Sequence, residues 1–148
     1  MNNILVKLLF KTIIDEANVL FIAKILALSI YADKRINALE LNESKKDIED
    51  YIKNNYSMLN GYFQNKIIEY LYIKVLKILE QLKNDNEYAT FLEKEIIYEL
   101  KKMKQRNEDN KLKYIFFYIE DILKSDKVFT KEEQEFFNKL KTSVYQKD

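Results

Sequence analysis

Gly61 is the only glycine in the chain, and there is no proline. Hairpins and β-sandwiches depend on these residues for tight turns, because glycine reaches positive φ without steric cost and proline pre-sets the turn. A chain almost without them is expected to run in long helices, so the predicted fold class is all-α. The 148 residues amount to about one ordinary domain, and at that length most of the unfolded chain's surface can be buried. With 47% hydrophobic residues, the chain has the material for a core.

Cysteine and histidine are both absent. Their absence removes disulfides, thiolate nucleophiles, Ser-His-Asp chemistry and zinc fingers. Any metal held by side chains must bind through oxygen, which points to hard cations such as calcium or magnesium. The 25 basic and 24 acidic residues leave a net charge of +1, without the basic excess typical of nucleic-acid binders. The densest basic cluster, Lys101, Lys102, Lys104 and Arg106, reads as a favourably charged helix C-terminus. The apolar start of the chain lacks a positive n-region and is interrupted by Lys7 and Lys11, so it is not expected to be an export signal. The stretch from Val19 to Ala32 is too short to span a bilayer. A cytoplasmic chain is expected, with peripheral association at a membrane still compatible.

Apolar periodicity predicts about seven helices, over 3–14, 16–32, 38–54, 62–83, 87–106, 111–124 and 131–145. The second is apolar almost all round, as a central helix is. The third carries only a narrow stripe of Leu41, Ile48 and Ile52. The intervening breaks are a few residues long, as between helices of one bundle, so residues 1–148 read as one domain. Aromatic stripes, such as the one around Phe116 and Phe117, read as core.

Two segments match: Ala32-Asp33-Lys34-Arg35-Ile36-Asn37-Ala38-Leu39-Glu40 and Ser125-Asp126-Lys127-Val128-Phe129-Thr130-Lys131-Glu132-Glu133. Each follows an apolar helix and precedes a charged one. Asn37 and Thr130 are good N-caps, Glu40 and Glu133 stand at the capping-box position, and Ile36 and Phe129 can act as staples. Asp33 and Asp126 can close Asx-turns. Local helix chemistry therefore explains most of the match. The spacing from Asp to Glu also equals the second half of a calcium-binding EF-hand loop. The first half is missing: Ser29, Tyr31, Ile122 and Lys124 stand where acidic ligands belong, and Lys34 and Lys127 replace the turn glycine. An ordinary EF-hand is excluded.

The arrangement resembles the tellurite-resistance TerB-like family, in which an apolar helix ends in Ala-Asp-Gly, an apolar residue follows two places on, and a Glu opens the next helix. Ala32-Asp33, Ile36 and Glu40 carry the likeness in the first copy, and Asp126, Phe129 and Glu133 in the second. Lysine replaces the family glycine in both copies, at a cost of about 1 kcal/mol if the left-handed conformation is kept, and Ser125 replaces the alanine. The resemblance implies a bundle with pseudo-twofold halves, about 16–54 and 111–145. It also implies a non-enzymatic role in tellurite or other stress responses, with a protein partner and divalent-metal binding through acidic residues. The expected ligands are Asp33, Glu40, Asp126 and Glu133, binding weakly beside Lys34 and Lys127. The alternative is a metal-free helical interaction or regulatory protein. An oxygen-ligand metalloenzyme needs acids from both loops converging on one ion with an open position.

Glu40, Glu43, Asp47 and Asp50 also fall on one side of the third helix. Like charges at this spacing repel by about 0.2–0.5 kcal/mol per pair, so the stripe reads as a solvated face, with a cation or a basic partner as the sharper alternative.

Overall fold

A computed structural model describes residues 4, 7, 8, 15–125 and 127–145. These residues form six helices and no strand. The helices are α1 (Glu16–Ile30), α2 (Ala38–Asn55), α3 (Gly61–Asn84), α4 (Asn86–Gln105), α5 (Asp109–Leu123) and α6 (Lys131–Tyr145). The helix expected over 3–14 lies outside the described residues, apart from Ile4, Lys7 and Leu8, which are helical.

Side-chain caps punctuate the chain where proline and glycine do not. Asp15 Oδ1 accepts from the backbone N–H of Ala17 and Asn18 at 3.0 and 3.4 Å. Asn37 accepts from Leu39 at 2.7 Å, Asn60 from Phe63 at 3.0 Å and Asp85 from Glu87 at 3.0 Å. Each satisfies a donor that the first helical turn leaves unpaired. Helix α4 ends with Asn107 in the left-handed conformation, φ 59°. There the Glu108 N–H donates to Met103 O and the Asn107 N–H to Lys104 O. This is a Schellman closure with asparagine in the usual glycine place. Lys102 and Lys104 lie in the last turn, as the basic cluster implied. Gly61 is the first residue of α3, has no positive φ, and a Cβ added there meets nothing within 4 Å. The break before α3 is therefore the work of Asn60.

Helix α1 is the centre of the bundle. Ten of its residues are buried, from Val19 to Ile30, and it packs against α2, α3, α4 and α5. Helix α6 closes the far side against α4 and α5. The core face of α3 runs through Ile67, Leu71, Val75, Leu79 and Leu82. Lys74 stays out of this face, and its ammonium lies over the Tyr70 ring. No described helix is long and apolar enough to cross a membrane.

Helix α5 also packs directly against α2, which brings residues near 47 and near 121 face to face.

Candidate metal centre

Among the described residues the two matching corners repeat the same backbone hydrogen bonds, displaced by 93 residues. Lys34 and Lys127 both occupy the left-handed region, at φ 63° and 64°. The Lys34 N–H donates to Tyr31 O at 2.8 Å, and the Lys127 N–H to Lys124 O at 3.0 Å. Before them, Ala32 donates to Ser29 O and Ser125 to Ile122 O; after them, Leu41 donates to Asn37 O and Gln134 to Thr130 O. Both lysines thus adopt the left-handed conformation that glycine takes most readily. Each lysine bears a cost of about 1–2 kcal/mol from its Cβ.

Within these corners Asp33 and Glu133 bind nearby backbone N–H groups. Asp33 Oδ1 accepts from the Arg35 N–H at 3.0 Å in an Asx-turn, and its Oδ2 pairs with the Arg35 guanidinium at 3.4 Å. Glu133 and Thr130 form a reciprocal capping box. The Thr130 N–H donates to Glu133 Oε1 at 3.0 Å, and the Glu133 N–H to Thr130 Oγ1 at 3.1 Å. Glu40 and Glu133 are each only 1% exposed. Asp126 lies outside the described residues. Asp33, Glu40 and Glu133 belong to no group of three or more candidate ligands among the described residues.

Such a group forms elsewhere. Glu43 and Asp47 of α2 and Asp121 of α5 each present a carboxylate oxygen, all within 4.8 Å of one another. The acidic side of α2 is therefore not a solvated face. Asp47 is 4% exposed, and its Oδ2 is buried with no hydrogen-bond partner among the described residues. Burial pushes its carboxyl up to about 8, reinforced by the negative charges of Glu43, Asp121 and Asp50. Glu43 is raised too, by burial first and by Asp121 second, with Lys46 opposing. Asp50 is already engaged: it accepts from the Tyr118 hydroxyl at 2.9 Å and from Asn54 Nδ2 at 3.1 Å.

Sequence reasoning found the α2 acids but took them for solvated, and it missed Asp121 and the Tyr118 bond. One signal was available: Glu120-Asp121 is an acidic pair inside a strongly apolar helix, one turn beyond Tyr118. What periodicity could not give was the partner helix.

In chemical terms the arrangement is a compact, partly exposed set of hard oxygen donors around one buried carboxyl, that of Asp47. Such a set suits a proton or a hard divalent cation. The chain matches no family model, no curated protein and no solved structure.

Proposed function

We propose that the chain is a non-enzymatic helical module that holds one divalent cation between α2 and α5, through Glu43, Asp47 and Asp121. The observation that carries this reading is Asp47: a carboxylate almost wholly buried, with an unpartnered oxygen, inside a group of three acids. Ionised, such a carboxylate is among the most expensive features a fold can contain, which is why it holds its proton up to about 8. A cation placed there turns that cost into attraction. The 4.8 Å spread is roughly twice a calcium–oxygen distance of about 2.4 Å, so all three acids can touch one ion of that size. Magnesium, at about 2.1 Å, needs the helices drawn closer. Backbone carbonyls and water supply the remaining ligands, and the affinity expected is that of the weakest calcium modules, about 0.1–1 mM.

The repeat adds support. Counted 93 residues away, the counterparts of Glu43, Asp47 and Asp121 are Phe136, Leu140 and Leu28. The same corner geometry is compatible with apolar residues at all three places, so the acids are not a requirement of the turn. The TerB-like affiliation belongs to this proposal, together with the stress role, protein partner, membrane-surface association and cytoplasmic location it implies. Its support is the pair of corners in which lysine holds the turn the family gives to glycine.

A metal-free interaction protein is the second reading, and one observation favours it. With Asp47 pushed up to about 8, the carboxyl is mostly protonated at neutral pH and the group persists without a cation. Thermal melting separates the two. On the metal reading, calcium or manganese at about ten times a millimolar Kd stabilises the wild type by about 1.4 kcal/mol, more than magnesium does. Asp47→Asn then melts higher without metal and no longer responds to it. A wild-type melting point indifferent to all three ions leaves the metal-free reading standing.

A further inference from the structure

Beyond the cation site, the same pair of helices lines a second and larger feature. A cavity of about 530 Å³ lies between α1, α2, α4 and α5, within the range of small-molecule sites. Phe21, Tyr51, Met103, Ile115 and Tyr118 make its walls. Burial pushes the Tyr51 and Tyr118 hydroxyls up, so both rings stay neutral. No acidic residue lines the cavity, and one basic residue does, Lys111.

The polar groups around it differ in how far they are already used. Asn18 Nδ2 donates to Asp15 Oδ2 at 3.0 Å, and Asn55 Nδ2 donates to the Tyr51 carbonyl at 2.9 Å. Tyr118 is committed to Asp50. Lys111 is half-buried and has no ion pair among the described residues, and Asn110 beside it makes no side-chain hydrogen bond there. An apolar chamber thus has unengaged donors at Lys111 and Asn110, while the carboxylates behind its wall, Asp15 and Asp50, are already held by the lining residues Asn18 and Tyr118. A cationic ligand meets the Lys111 ammonium at the wall and no lining carboxylate. A fully apolar one leaves the ammonium unmatched.

We propose that this cavity binds a small free monocarboxylate with an apolar body, its chain against the aromatic walls and its carboxylate at Lys111 and Asn110. Hydrocarbon in the chamber supplies non-directional burial, while the ammonium supplies a charge-assisted hydrogen bond, about twice as strong as a neutral one. The site shares none of its lining residues with the carboxylate group on α2 and α5, so it stands or falls independently of the cation reading.

Calorimetry on the whole chain tests it with three probes of equal chain length: decanoate below its micellar concentration, decanol and decyltrimethylammonium. Decanoate is expected to bind with a negative heat-capacity change, the marker of apolar burial. It should bind about tenfold more tightly than decanol, with the ammonium probe weakest. Lys111→Gln, a half-buried substitution outside the core, should weaken decanoate about tenfold and leave decanol unchanged. Asn55→Trp, which obstructs the cavity from an exposed position, should weaken both. Loss of decanoate and decanol to the same extent in Lys111→Gln would overturn the carboxylate assignment. Absence of decanoate heat overturns the site, as does binding to phosphatidylglycerol vesicles without binding to free decanoate, which would place the chemistry on a lipid surface.

Discussion

Helices α2 and α6 begin alike and then diverge. Each follows a left-handed lysine, each has a polar cap, and each buries the glutamate three residues on, Glu40 or Glu133. Each of the next buried positions of α6 has a buried counterpart in α2 at the 93-residue displacement. In α6 they are Phe137, Leu140 and Val144; in α2 they are Ser44, Asp47 and Tyr51. One helix docks on hydrocarbon. The other puts a hydroxyl, a carboxylate and a phenol at those places, beside the buried Ile48 and Ile52, and faces the acid Asp121. Equal burial with opposite chemistry indicates that the corner sets which positions point inward, while the facing helix sets what they must be made of.

Exchanging the two chemistries is the strongest way to break the comparison. Leu140→Asp places an unpaired carboxylate in an apolar contact and should cost about 3–5 kcal/mol in denaturant midpoint measurements. A cost below about 1 kcal/mol would mean that α6 already tolerates charge and that the contrast is not real. The reverse change, Asp47→Leu, should stabilise the cation-free protein by about 1–4 kcal/mol, as when buried ions give way to hydrocarbon. It should also abolish any response to divalent ions.

Stability against pH sharpens the same point. The folded-state value for Asp47 is raised from 3.8 to about 8. Between those values the folded protein keeps a proton that the unfolded chain has released. The Asp47 contribution is therefore complete below about pH 4, declines as pH rises towards 8, and is flat above that. Denaturation curves in cation-free buffer should show this decline in the wild type and a much shallower one in Asp47→Leu. Parallel slopes would remove Asp47 as its source.

A smaller effect examines what the two regions share. Lys34→Gly and Lys127→Gly should each stabilise by up to about 1 kcal/mol, since glycine accepts positive φ without the Cβ penalty and loses part of the gain to its freer unfolded state. A gain at one corner with a loss at the other would show that the two turns are not equivalent. The smallest expected effect is Gly61→Ala. With no positive φ and open space around the Cβ, it should gain about 0.4–1 kcal/mol. A loss would show that Gly61 contributes to the break before α3.

Much of this was legible in the residues. The α6 boundaries follow from Thr130, Glu133 and the stripe of Phe137, Leu140 and Val144, and α1 from its all-round apolar character, because capping and helical periodicity act over a few residues. The narrow apolar stripe of α2 was legible too, through Ile48 and Ile52. Its acidic side was misjudged, because a charged stripe looks the same in sequence whether it meets water or another helix.

By itself, then, the sequence determined a helical chain with no cysteine or histidine chemistry, the places where its helices start, and the two lysine-bearing corners. All of these depend on side-chain composition and on contacts within a turn or two. Only the tertiary structure decided that α2 lies against α5. That packing puts Asp47 beside Asp121 and Asp50 beside Tyr118, buries an oxygen without a partner, and leaves Lys111 at the wall of an apolar cavity. The physical reason is separation. These pairs lie about 70 residues apart in the chain, and proximity across that distance comes from how the helix faces pack, whereas periodicity reports only which face of each helix is apolar.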